Sequence, residues 1–125
     1  MSQSASIEFE RSHCPVANVL DLFGDKWTLL VVRDLILGKT RYNEFAQSDE
    51  GIPTNVLADR LKRLEMAGVV VKKAYSDKPL RYQYELTEKG KDLVPMLEAM
   101  VAWAGKHVPG VKVFPRYRRY NSGLE

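Results

Sequence analysis

Ile52-Pro-Thr-Asn-Val-Leu-Ala-Asp-Arg-Leu-Lys-Arg-Leu-Glu-Met-Ala-Gly68 is the stretch whose reading decides the fold. At about 100° per residue, Leu57, Leu61 and Leu64 fall within one narrow arc, which predicts a helix with a single apolar face. Asn55, Asp59, Lys62 and Met66 lie opposite, with Arg63 on their flank. Thr54 is expected to cap the helix and Gly68 to end it. A short helix pinned by leucines, with Asn, Lys and Arg turned outward, suits the major groove of DNA. The same pattern describes an ordinary surface helix with a solvated charged face. The flanking chain has to decide between them.

Upstream, His13-Cys-Pro15 introduces a helix in which Val16, Val19, Leu20 and Phe23 form an apolar face. Pro15 suits its first position, Gly24 stops it, and Asp25 caps the next helix. Lys26 to Leu37 is apolar nearly all round, interrupted only by Thr28, Arg33 and Asp34, so it is expected to be the buried central helix. Arg41 to Gln47 predicts a short helix with Tyr42, Phe45 and Ala46 inward, and Ser48-Asp-Glu-Gly51 a turn. Two short helices joined by a glycine-containing turn make a helix-turn-helix, with the Ile52–Gly68 stretch as its reader.

Downstream, Val69 to Tyr75 reads as a strand, Ser76 to Leu80 as a turn, and the alternating Arg81 to Leu86 as the returning strand. A hairpin directly after the reading helix is a wing, with Lys78 and Arg81 at or near its tip. Thr87 is expected to cap a final helix over roughly 88–106, which Pro95 should kink or divide. Leu93, Leu97, Met100, Val101 and Ala104 form its apolar stripe, widened by Met96, Ala99 and Trp103. That surface exceeds what one small core needs, which points to a partner subunit. The expected architecture is mainly α with a small β-hairpin wing: a winged helix-turn-helix with a C-terminal dimerisation helix.

The chain has 125 residues, 45% hydrophobic and 28% charged, enough for one domain with one core. Residues 1–12 read as a loose arm, 13–107 as the folded domain and 108–125 as an extended tail. No apolar run approaches the roughly 18 to 20 residues of a membrane span, and no signal peptide is evident. One cysteine excludes an internal disulfide framework, so a cytoplasmic location is expected. The net charge of +3 is unevenly spread: −3 over residues 1–52, +4 over 53–91, −1 over 92–106 and +3 in the tail. Positive charge therefore gathers on the reading helix, the wing and the tail, a weak footprint for a polyanion. Two histidines far apart and one cysteine give no metal-ligand spacing, and no phosphate loop is present. No cofactor is expected.

Cys14-Pro, Gly24-Asp-Lys-Trp-Thr-Leu-Leu30, Arg41-Tyr-Asn-Glu-Phe45, Thr54 to Glu65, Ala67-Gly-Val69 and Tyr84-Glu-Leu-Thr-Glu-Lys-Gly90 together resemble the HxlR family of MarR-like winged-helix transcription regulators. The similarity spans roughly residues 13–107, with several motifs in order. It implies a homodimer that binds a palindromic operator. It also implies, for some members, sensing of quinones, aldehydes or oxidants through one cysteine just before the first helix, the position of Cys14.

The candidate DNA-binding residues are Arg41 as a backbone clamp, Thr54, Asn55 toward adenine, Lys62 and Arg63 toward guanine or phosphate, and Lys78 and Arg81 on the wing. Arg60 lies nearer the core flank, where an internal carboxylate or a phosphate is its expected partner. Asp59 faces outward and is expected to pair with Arg63 or to accept from cytosine. Cys14, at a helix N-terminus with Arg11 and His13 nearby, is the candidate redox-sensing residue. The alternative reading is a winged helix used only for protein contacts, without DNA binding. A thiol enzyme using Cys14 is disfavoured, because no general base beyond His13 is in view.

Overall fold

A computed structural model describes residues 11–113. The expected arm falls mainly outside the described residues, as does the tail from residue 114 onward. The elements run α1 (Pro15–Phe23), α2 (Thr28–Ile36), α3 (Tyr42–Ala46), α4 (Thr54–Met66), β1 (Val70–Asp77), β2 (Leu80–Leu86), α5 (Glu88–Lys91) and α6 (Val94–His107). The expected order of elements is observed, a mainly helical chain with one two-stranded antiparallel sheet. No helix among the described residues is long and apolar enough to cross a membrane.

The core forms where α2 and α4 meet. Val31, Val32, Leu35 and Ile36 of α2 pack with Leu57, Leu61 and Leu64 of α4, joined by Phe45 of α3 and by Val69 and Val70 at the base of the wing. Trp27, not Asp25, takes the cap position of α2, but the Asp25 carboxylate still accepts from the Trp27 amide at 3.0 Å and the Thr28 amide at 3.1 Å just before the helix. Asp34 is buried on α2, and its charge is met by Arg33, Lys39 and the Ser48 hydroxyl. Arg33 also forms two hydrogen bonds with Glu50, at 2.8 and 2.9 Å. These bonds tie the core helix to the turn before α4.

The start of α4 corrects one expectation. Thr54 does not cap the helix; it is the first helical residue, and Pro53 takes the cap position with φ −62° and ψ 145°. Proline's fixed φ already suits that extended conformation, and the Pro53 carbonyl accepts from the Leu57 amide at 2.9 Å. Ile52 before the cap and Leu57 in the first turn are both buried in the core, the arrangement that fixes the entry angle of a chain into a helix. At the other end Gly68 has φ 79°, as a C-terminal stop requires. The Gly68 amide donates to the Glu65 carbonyl and the Val69 amide to the Leu64 carbonyl, so the chain turns directly from α4 into the wing.

Both wing strands extend further than read from sequence, leaving Lys78-Pro79 as the tip. Val70 pairs with Leu86 at the base and Asp77 with Leu80 at the tip. A bulge between Ala74 and Ser76 leaves Tyr75 as an extra residue on β1. The Tyr84 amide donates to the Thr40 carbonyl at 2.7 Å, fastening the wing to the segment before α3.

Thr87 does cap the next helix, its hydroxyl accepting from the Gly90 amide at 3.1 Å. Pro95 divides the expected single helix: α5 is one turn, and α6 begins at Val94 with Pro95 in its first turn. The outer helices bury little. Phe23 is the buried residue of α1, while Val16 and Leu20 stay 66% and 53% exposed. Val94 and Leu97 are the buried residues of α6, while Met100 and Trp103 stay 50% and 63% exposed. The apolar faces read from the sequence therefore exist, and among the described residues each is buried only in part.

Candidate nucleic-acid interface

Burial of Leu57, Leu61 and Leu64 dictates what α4 shows to solvent. Asn55, Asp59, Lys62 and Arg63 are all exposed, as the helical wheel requires. Arg63 approaches Asp59 at 3.8 Å with four-residue spacing. Asp59 also pairs with the neighbouring Arg60. Two cations therefore screen this outward carboxylate, which by itself would repel phosphate. Arg60 itself turns inward, its Nε donating to Asp25 at 2.9 Å.

The N-terminus of α4 is joined to a cleft beside the wing. The Tyr42 hydroxyl donates to the Thr54 carbonyl at 2.7 Å, which sets Thr54 and Asn55 next to α3. Tyr42 in turn lines a cleft of about 510 Å³ between the start of α3 and the wing, together with Arg41, Lys72, Tyr75, Arg81 and Tyr82. The guanidinium of Arg41 stacks over the Tyr75 ring at 4.0 Å, and the Lys72 ammonium lies 4.5 Å from the Tyr82 ring centre. Rings beneath cations hold them in place without neutralising them. The Arg41 contact falls at the bulge, where Tyr75 is the extra residue of β1.

The structure thus brings Arg41 and Arg81 into one cleft and connects it with Thr54 and Asn55 through Tyr42. Lys62 and Arg63 stand further along α4 and Lys78 at the wing tip, all exposed but outside the cleft. Lys72, Tyr75 and Tyr82 are among the cleft residues that escaped the sequence reading. Lys72 and Tyr82 sit on adjacent strands near the middle of the hairpin. The strand register would have placed Lys72 and Tyr82 near each other, but the bulge at Tyr75 has no sequence signature.

Around Arg41 the geometry is well fixed. Glu44 Oε1 accepts from the Thr40 amide at 2.8 Å and the Arg41 amide at 3.0 Å. Those two backbone bonds hold the Glu44 carboxyl below the usual range. Partial burial pushes the Asp25 carboxyl up, but bonds from the Thr28 hydroxyl, Arg60 and the Trp27 amide outweigh it, and Asp25 sits well below the ordinary carboxylate range.

Cys14 is exposed and occupies the cap position of α1. Its amide donates to the Ser12 hydroxyl at 3.1 Å, and its carbonyl accepts from the Asn18 side chain at 2.8 Å. Arg11, read from sequence as a neighbour able to favour a thiolate, instead pairs with Asp21 at 2.7 Å. The described residues contain no cluster of His, Cys, Asp and Glu able to hold a metal ion.

Comparison with known proteins agrees with this architecture. The HxlR-like helix-turn-helix family matches residues 22–112. The helix-turn-helix transcriptional regulator sll1512 of Synechocystis is 38% identical over 93 residues, covering 74% of this chain and 69% of that protein. Among solved structures, PA1607, a candidate transcription factor, superposes with a TM-score of 0.74 at 37% identity, covering 84% of this chain and 74% of that one. The redox regulator HypR in its oxidised form superposes with a TM-score of 0.69 at 34% identity, covering 80% of this chain and all of that one. These proteins are regulators of transcription, not enzymes, and the chain belongs to the HxlR-like helix-turn-helix family of transcription regulators.

Proposed function

We propose that this regulator binds a palindromic operator as a homodimer, inserting α4 of each protomer into successive major grooves. The observation that carries the reading is the surface running from Asn55 through Tyr42 into the Arg41, Lys72 and Arg81 cleft. A reading helix and a cation-lined wing cleft on one continuous surface suit a DNA strand and its neighbouring groove. In this reading Asn55 contacts a base edge, with Lys62 and Arg63 reaching guanine or phosphate. Arg41, Lys78 and Arg81 meet the backbone, and Thr54 contacts phosphate at the start of α4. Such a protein works where the chromosome is, in the cytoplasm.

The dimer reading rests on the exposed apolar faces of α1 and α6, among them Leu20 and Trp103. Pairing two copies about a twofold axis buries both faces and relates two copies of α4 by the same axis. Gel shifts with the DNA upstream of its own gene test the reading. Asn55→Ala with Lys62→Ala should abolish the sequence-specific shift, whereas a module used for protein contacts alone would lose nothing.

We further propose that Cys14 makes operator binding responsive to oxidants or electrophiles. Its exposure at the start of α1, on the proposed dimer face, and the likeness to HypR support this. An oxidant such as diamide would take two electrons and two protons from two thiols, leaving a disulfide between subunits or with a small thiol. A quinone would instead form a carbon–sulfur bond with the thiolate. Comparing wild type with Cys14→Ser, with and without diamide, tests the idea; equal responses would remove Cys14 from the mechanism.

A further inference from the structure

We infer that Asp25 is a positioning residue for the reading helix, acting through Arg60. The inference rests on the operator-binding reading above and adds how the recognition surface is aimed. Asp25 stands at the corner between α1 and α2 and is fixed there by three bonds: from the Trp27 amide at 3.0 Å, the Thr28 amide at 3.1 Å and the Thr28 hydroxyl. Thr28 is itself buried, 2% exposed, so the carboxylate is anchored to the core helix. Onto the same oxygen that receives the two amides, Arg60 Nε donates at 2.9 Å from midway along α4. Both side chains are largely shielded, at 19% and 26% exposure.

The leucines cannot do this alone. Leu57, Leu61 and Leu64 fix which face of α4 is buried and how deeply it sits, but apolar contact is non-directional and restrains small rotations about the helix axis less sharply than a hydrogen bond does. A charge-assisted hydrogen bond is directional. Side-chain tips lie about 5 to 6 Å from a helix axis, so a rotation of about 20° moves them by about 2 Å. A shift of that size exceeds what a base-edge hydrogen bond tolerates. The rotation of α4 decides where Asn55, Lys62 and Arg63 point. Asp25 sets that rotation from the opposite side of the helix without touching DNA. The pairing of Arg60 with Asp59 adds to the effect, because it holds that outward carboxylate beside its own helix.

The alternative is that Arg60 meets a phosphate directly, and the two roles separate experimentally. An operator duplex is first selected from a random pool with the full-length wild-type protein. Binding to it and to a scrambled duplex is then measured across salt for wild type, Asp25→Asn, Arg60→Met, Arg60→Lys and the Asp25→Asn/Arg60→Met double variant. Positioning predicts that each single variant weakens operator binding about tenfold or more, from loss of one charge-assisted bond. Scrambled-duplex binding should stay within about twofold and the salt slope should not change. Arg60→Lys should fail to rescue, because lysine lacks the planar Nε donor. The double variant should be no weaker than either single one.

An Arg60→Met variant whose salt slope falls by about one, with Arg60→Lys binding normally, would make Arg60 a phosphate contact and overturn the inference. Operator binding by Asp25→Asn and Arg60→Met within twofold of wild type would overturn it as well. Should Asp25→Asn not fold, the Arg60 variants carry the test alone. Failure of the wild type to enrich any duplex would instead overturn the operator reading on which the inference stands.

Discussion

Replacing Trp103 with alanine should separate the proposed dimer without unfolding the protomer. The ring is 63% exposed on α6, and among the described residues it meets the His107 ring on the same helix, with ring centres 5.0 Å apart. A tryptophan side chain buries about 200 Å² when fully covered, so the exposed share offers about 125 Å² to a partner. At about 25 cal/mol per Å², covering it contributes about 3 kcal/mol, and twofold symmetry presents the ring twice, for about 6 kcal/mol. Ordering the side chains and refilling by neighbours offset about half of this. About 3 kcal/mol remains, a rise of about a hundredfold in the dimer dissociation constant. Sedimentation equilibrium of wild type and Trp103→Ala measures that constant, and far-UV circular dichroism checks that the helices persist. A dissociation constant within threefold of wild type, with α6 intact, would refute the placement of this face at the interface.

Other expectations follow from the same structure. Leu61→Ala removes a fully buried side chain from the root of α4 and should cost about 2 to 5 kcal/mol, read as a lowered urea midpoint; a loss under 1 kcal/mol would contradict the packing described. Tyr75→Ala should leave Arg41 without its stacking surface and weaken binding to all DNA sequences alike, seen as parallel losses on operator and scrambled duplexes. Glu50, lowered by its hydrogen bonds with Arg33, and Asp25 both titrate below their unfolded values. The unfolded chain therefore takes up protons first on acidification, so this stability is complete above about pH 5 and is lost as pH falls through about 4 and below. Urea midpoints measured from pH 7 to 3 check the sign; constant or rising stability toward acid would contradict it.

The reading helix was legible because its determinants are local. Three leucines at helical spacing and Gly68 after them specify its face and its end. The all-round apolar Lys26–Leu37 stretch announced the core helix for the same reason, and Thr87 announced its cap. Where two local signals competed, the reading slipped. Pro53 and Thr54 can each stand at a helix cap, and proline's fixed backbone prevailed. Contacts across sequence distance were not legible. Nothing in the order of residues joins Asp25 to Arg60, 35 positions apart, or Arg41 to Tyr75 across the bulge. The outward residues of α4 were thus readable as a candidate surface, whereas the cleft beside it and the bond that orients it required the fold.

The central claim is tested most directly by titrating the full-length protein against an inverted-repeat operator at several salt concentrations. The half-sites should lie about 34 Å apart, one turn of DNA. With about four phosphate contacts per protomer, the logarithm of the binding constant should fall against that of salt with a slope of about −7, at two protomers per duplex. Binding that ignores salt, or no binding to any duplex at 50 mM salt, would contradict the account.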